Sequence, residues 1–172
     1  MLAFEEKKPE FRPMAFILID RLLSLQETQV VAEKIFKIED PIFLDHFPGS
    51  PIVPGSLLLE GMAQSCGWWI TWKNSGRSKS ALLMAEGLQF RHFVRPGEII
   101  RYEAKVLLSG EGRTRFQARA FVDSKMVAKG ELSFAVFAID DSAGPFQAET
   151  LGGWIDETFQ RLQGPAAAEK SV

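Results

Sequence analysis

The stretch DHFPGSPIVPGSLLLEGMAQ, residues 45–64, holds one of the two histidines of the chain, three prolines and, ahead of Glu60, two glycines. Proline fixes φ and lacks an N–H donor, so Pro41, Pro48, Pro51 and Pro54 exclude any long regular element between residues 41 and 55 and require a shaped loop there. No proline follows until Pro96. The leucines, alanine, methionine and glutamate after Ser56 predict a helix of about 16 to 18 residues beginning near Gly55. At helical spacing Glu60, Gln64, Gly67 and Thr71 form one narrow stripe of polar or small residues, while Leu57, Leu58, Leu59, Met62, Ala63, Cys66, Trp68, Trp69, Ile70 and Trp72 occupy the other faces. A helix apolar on nearly every side must be enclosed by other structure.

The flanks say what encloses it. Before the loop, AFILIDRLLSL is densely apolar and TQVVAEKIFKI partly alternates, so both read as strands. KNSGRSKS is a polar loop after the helix. Further on, IIRYEAKVLL alternates Ile100, Tyr102, Ala104, Val106 and Leu108 against Arg101, Glu103 and Lys105, and TRFQARAFV alternates Phe116, Ala118, Ala120 and Val122 against Arg115, Gln117 and Arg119. This is the pattern of half-buried antiparallel strands. SGEG at 109–112 and DSK at 123–125 are turns at hairpin spacing, leading to MVAKGELSFAVFAI with an inward set of Met126, Ala128, Leu132, Phe134 and Val136. One enclosed helix and several consecutive antiparallel strands predict an α+β structure with the helix against the concave face of a curved sheet. Leu151, Trp154, Ile155, Phe159 and Leu162 then recur at helical spacing, predicting an amphipathic helix on the outside, followed by a disordered tail. The expected division is a main domain over 1–140 and a C-terminal extension over 141–172.

Composition narrows the function classes. At 172 residues, with 46% hydrophobic and 24% charged residues, the chain suits one globular domain. A net charge of −2 gives no reason to expect nucleic acid as a partner. The single cysteine, Cys66, rules out an internal disulfide and a thiolate metal site, in keeping with a cytoplasmic location. The N-terminus lacks the apolar core of a secretion signal. Leu57 to Trp72 is too short and too polar for a membrane span.

Two side chains stand out chemically. Burial among leucines favours the neutral form of a carboxyl group, which suits Glu60 to act as an acid, and a histidine is the side chain best matched to serve as a base near neutral pH. The VPGS turn at 53–56 adds backbone N–H groups at a helix N-terminus, where negative charge developing on an oxygen is stabilised. These are three parts of an elimination site, although residue types alone favour a plainer reading, a loop-capping histidine, a satisfied buried glutamate and turns made by Gly49 and Gly55. Fourteen residues of spacing leave open whether His46 and Glu60 meet within one chain or across a dimer.

The string HFPGSPIVPGSLLLEGMAQ closely resembles the signature of the 3-hydroxyacyl-acyl carrier protein dehydratases of fatty acid synthesis, which have a hot dog fold. The similarity extends through FILIDRLLSL before it and LQFRHFVRPGEIIRYEAKVL after it, over residues 13–137. The resemblance implies that His46 removes the α-proton of a 3-hydroxyacyl thioester and that Glu60 protonates the departing β-hydroxyl. It also implies that the Gly55 N–H polarises the thioester carbonyl and that Gln64 orients Glu60. No metal or organic cofactor is implied, and the partner is an acyl carrier protein. The family builds its site across a dimer, so the expected assembly is a homodimer or a trimer of such dimers, with the acyl chain in an apolar tunnel beside the central helix.

The sequence departs from the family pattern at several places. Asp45 replaces the usual glycine before the histidine and is expected to point to solvent. The usual aromatic-proline beginning is absent, and Trp68, Trp69 and Trp72 are bulky enough either to pack a core or to reshape the tunnel. His92 is not at the base position and reads as a surface residue, Cys66 as core, and Arg91 and Arg95 as a solvated pair or a contact for the carrier protein. Competing functions are a thioesterase or dehydratase/isomerase of the same fold, or an acyl-binding subunit without turnover. Glu60 weighs against the isomerase, whose acid is usually aspartate, and the presence of both His46 and Glu60 weighs against a degenerate subunit.

Overall fold

The computed structural model describes residues 16–110, 112–138 and 148–164, with the side chains of 148–152 outside the description. Six strands form one antiparallel sheet in the order β1-β2-β4-β5-β6-β3: β1 Arg21–Gln26, β2 Gln29–Ile35, β3 Ser78–Phe90, β4 Ile99–Gly110, β5 Arg113–Val122 and β6 Lys125–Ala138. Between β2 and β3 lie a short 3-10 turn at Pro41–Leu44 and the long helix α1, Gly55–Lys73. A second helix, α2, spans Ala148–Gln163.

The alternating strands behave as their patterns require except at the end of β4, where the β4–β5 register shifts after Val106 and Leu108, expected to face inward, is exposed. Tyr102, Ala104, Phe116, Ala118, Ala120, Ala128 and Leu132 are almost wholly buried and face α1, whose Leu58, Met62, Cys66, Trp69 and Ile70 complete the core. Burying each such large side chain contributes about 1.5 to 3 kcal/mol, so this layer dominates the stability of the fold. In β6 the pairing register shifts opposite Ala120 and Phe121, and Val127 rather than Met126 turns inward. One close approach sets how deeply α1 seats. A Cβ on Gly61 would lie 2.3 Å from the Tyr102 ring and hydroxyl, so only glycine lets the helix reach β4.

Three local differences from the sequence reading have physical causes. The first strand begins at Arg21, not Ala15, because the Leu18 N–H and the Phe16 carbonyl are bonded to the side chain of Gln64 on α1 instead of to a neighbouring strand. The helix runs 19 residues, ending where the Asn74 N–H caps the Ile70 and Trp72 carbonyls. Strand β3, which the sequence does not mark, begins at Ser78 within the expected polar loop of residues 73–80: among the described residues it pairs only with β6, at the edge of the sheet, and ALLM has no alternation to reveal a face. Leu82, Leu83, Met84 and Phe90 on this strand are exposed.

The outer helix is where its periodicity puts it, at Ala148–Gln163. Ile155, Thr158 and Leu162 are buried, and Trp154 and Phe159 each lie about 6 Å, ring to ring, from Trp68 on α1. The side chain of Leu151 and the C-terminal tail fall outside the described residues. Among the described residues no helix is long and apolar enough to cross a membrane.

Candidate active site

The proline-fenced loop is pinned to its surroundings by its own backbone. His46 donates its N–H to the Ile42 carbonyl and accepts from the Ile52 N–H at 3.0 Å, the Ser50 N–H closes a turn on Phe47, and the Val53 N–H reaches the Val94 carbonyl. Gly49, at φ +74°, occupies the left-handed region that this turn needs. The His46 imidazole is half-buried and stacks on Phe47 with ring centroids 4.0 Å apart. Asp45 is exposed.

Pro54 ends the loop and α1 starts at Gly55. As the first helical residue, Gly55 has an N–H with no intrahelical acceptor, and Leu57 and Leu58 donate to the Pro54 carbonyl. The Phe90 ring of β3 lies over this point, where a Cβ on Gly55 would meet it at 3.2 Å. A glycine here therefore keeps the helix terminus close to an aromatic face.

Just over one turn further, Glu60 and Gln64 share a face at i and i+4. Gln64 Nε2 donates to Glu60 Oε1 at 3.0 Å and to the Phe16 carbonyl at 2.9 Å, while Gln64 Oε1 accepts from the Leu18 N–H at 2.8 Å. The amide is thus held on both sides, and it holds one oxygen of the Glu60 carboxyl group in turn. Glu60, Gln64, Gly67 and Thr71, the polar stripe of α1, open onto a cavity of about 440 Å³ whose other walls include Phe16, Ile17, Trp68, Leu82, Phe134, Trp154 and Ile155. Lys79 and Ser80 of β3 also line it. Partial burial draws the Lys79 ammonium pKa below its ordinary value.

The structure therefore brings Glu60 and Gln64 together and sets Gly55 at the start of the same helix, but His46 does not line the cavity that holds Glu60 within one chain. His92 is exposed beside Phe93, away from that cavity. Cys66 is buried, and burial pushes its thiol well above the usual range, so it is a core residue. Arg91 and Arg95 are exposed. Trp69 packs in the core and donates its indole N–H to the Gln26 carbonyl at 2.7 Å, whereas Trp68 faces the cavity. The cavity residues that the sequence reading did not single out, Phe16, Ile17, Lys79, Ser80 and Leu82, lie on the edge strand and the extended segment, where no periodicity points inward. For Trp154 and Ile155 the helical period was visible, but not that it aims them at this cavity.

Comparisons with known proteins identify the family and the fold. Curated relatives include the 3-hydroxyacyl-acyl-carrier-protein dehydratase FabZ of Chlamydia trachomatis serovar L2, 42% identical over 127 residues, which are 70% of this chain and 82% of that protein. The enzyme of the same name from Ruminiclostridium cellulolyticum is 35% identical over 123 residues, covering 70% and 87%. Among solved structures, a chain of a dehydratase heterocomplex from Xenorhabdus doucetiae superposes with a TM-score of 0.58 at 16% identity, over 69% of this chain and 82% of that one. A thioesterase from Haemophilus influenzae gives 0.56 at 11% identity over 71% and 80%. At such identities these two speak for the fold alone, which is the hot dog fold. The family model of the FabA-like domain matches residues 11–131, and with those relatives it establishes that the chain belongs to the FabA-like dehydratase family.

Proposed function

We propose that the protein dehydrates 3-hydroxyacyl-acyl carrier protein to the trans-2-enoyl thioester in fatty acid or related acyl-chain synthesis, in the cytoplasm. The observation that carries this reading is a carboxyl group, Glu60, held by Gln64 on the wall of a largely apolar cavity, in a chain whose relatives are named for that reaction. In the elimination, the His46 imidazole takes the α-proton, the electron pair forms the Cα–Cβ double bond, and the β C–O bond breaks as Glu60 delivers its proton to the leaving hydroxyl. Water departs, leaving an imidazolium and a carboxylate, and transfer of one proton between them resets the site. The Gly55 N–H, at the positive end of α1, stabilises negative charge on the thioester oxygen as the α-carbon loses its proton.

His46 acts with Glu60 from a second copy of the chain. The exposed apolar edge of β3, with Leu82, Leu83, Met84 and Phe90, is the surface through which two copies pair, and homodimers or trimers of dimers are the working assembly. Incubation with 3-hydroxyacyl carrier proteins, followed by intact mass spectrometry, tests both reaction and residues. Loss of one water from the acyl group is expected in the wild type, with a reduction of about 10²- to 10⁴-fold in His46→Ala and Glu60→Gln. Undiminished dehydration by both variants refutes the assignment of the two groups.

A further inference from the structure

The cavity that holds Glu60 is not enclosed by the family region alone. The family match ends at residue 131, and α2 begins at Ala148, yet Trp154 and Ile155 of α2 line the same cavity as Glu60. Ile155 is 4% exposed, and Trp154 lies 6.0 Å, ring to ring, from Trp68, which also lines the cavity. Helix α2 is fastened beyond it as well, with Phe159 6.1 Å from Trp68 and Leu162 buried. The helix therefore forms a fixed wall.

The position of that wall follows from helix geometry. Gly67 and Thr71 lie seven and eleven residues beyond Glu60 on one face, which at about 1.5 Å per residue places them roughly 10 and 16 Å along the axis. A staggered alkyl chain advances about 1.3 Å per carbon. With its β-carbon at Glu60, an acyl chain running along the stripe meets the level of Trp154 and Ile155 about eight to twelve carbons later. At Gly67 the stripe runs close to β3, where a Cβ would sit in ordinary contact, 3.4 Å, with Ser80 Oγ, so a larger side chain there narrows the path.

We propose that α2, through Trp154 and Ile155, is the end wall of the acyl pocket and sets the longest chain the enzyme accepts, at about eleven to fifteen carbons counted from the thioester carbonyl. The nature of the ligand rests on the dehydratase reading above; the wall is tested without turnover, by calorimetric titration of S-alkyl pantetheine thioethers carrying eight, twelve and sixteen carbons. For the wild type the affinity is expected to rise from eight to twelve carbons and to fall at sixteen. In Trp154→Ala, and separately in Ile155→Ala, the sixteen-to-eight affinity ratio is expected to rise about tenfold, the effect of roughly two further methylenes admitted to an apolar site. Gly67→Leu, which fills the path, is expected to lower the twelve-to-eight ratio, a change opposite in sign to that from general loosening. An affinity that climbs through sixteen carbons in the wild type, or one chain-length profile shared by all four proteins, overturns the proposal. A break at twelve carbons that moves in the variants supports the wall even if no water loss is ever detected, an outcome that would count against the dehydratase reading alone.

Discussion

Replacing Gln64 by leucine separates what holds the fold from what aims the acid. The substitution keeps a helix-forming side chain of similar size but removes three hydrogen bonds, to Glu60 Oε1, to the Phe16 carbonyl and from the Leu18 N–H. These losses are unequal. The Phe16 bond is exposed and water replaces it, whereas Leu18 is 7% exposed and its N–H is left without an acceptor, a desolvation penalty of about 1 to 3 kcal/mol. Adding about 1 kcal/mol for the Glu60 bond, and subtracting a similar amount for burying part of a leucine, leaves a net loss of about 1 to 3 kcal/mol. With a urea m-value of about 1 to 3 kcal/mol/M, the midpoint falls by about 1 M, measured at one fixed protomer concentration because association adds to stability. The catalytic consequence is distinct: Glu60 loses the donor that fixes its carboxyl orientation, so kcat is expected to drop about tenfold while KM for a short acyl substrate changes less than threefold. A Gln64→Leu protein with the lower midpoint but unaltered kcat would refute the positioning role and leave Gln64 as a clamp on residues 16–18.

Two further outcomes test the core. Gly61→Ala places a Cβ 2.3 Å from the Tyr102 ring, so α1 must lift from β4, and a loss of at least about 2 kcal/mol is expected in urea unfolding; a loss below 0.5 kcal/mol contradicts the close approach. Stability should also fall in alkali. Burial raises the folded-state pKa of both the Cys66 thiol and the Tyr102 hydroxyl above their ordinary values of 9.0 and 10.0, with the Asp20 charge adding to the shift at Tyr102. Their contributions are whole below the unfolded pKa and are lost as pH rises toward the folded one. The slope is about 1.4 kcal/mol per pH unit above pH 9 and about twice that above pH 10. Lys79 shifts the other way, but it is too exposed to offset two buried groups. Urea midpoints at pH 8, 9.5 and 10.5 should decline in the wild type and flatten in Cys66→Ala/Tyr102→Phe, and an equal decline in both proteins contradicts the assignment.

The parts of the fold that the sequence makes legible are those whose environment is decided within a few residues. Strands β4, β5 and β6 each present one face to α1 and one to solvent, so alternation is written into the chain, and α1 is apolar on every side but the stripe that lines the cavity because it is covered on those sides. Strand β3 is different. Among the described residues it pairs on one side only, and the apolar residues Leu82, Leu83 and Met84 are exposed, so none of those residues imposes a period of two on them. The first strand shows the complementary effect: residues 16–20 have strand composition, yet one glutamine on a distant helix takes up the Phe16 carbonyl and the Leu18 N–H.

The same division runs through the site. Glu60 and Gln64 are four residues apart on a helix, so their hydrogen bond is implicit in the spacing, and the N–H of Gly55 is implicit in the turn that starts the helix. The proposed meeting of His46 with a carboxyl group is not implicit in any spacing, because within one chain His46 does not line the cavity that Glu60 lines. Nor is the end of that cavity, which depends on a docking between Trp68 and residues 86 and 91 positions later, Trp154 and Phe159. Helix periodicity correctly gives α2 an apolar face, but a face has no address until its partner is known. Here the address is the lining of the pocket rather than its outer surface, which turns a stabilising extension into a determinant of what the pocket admits.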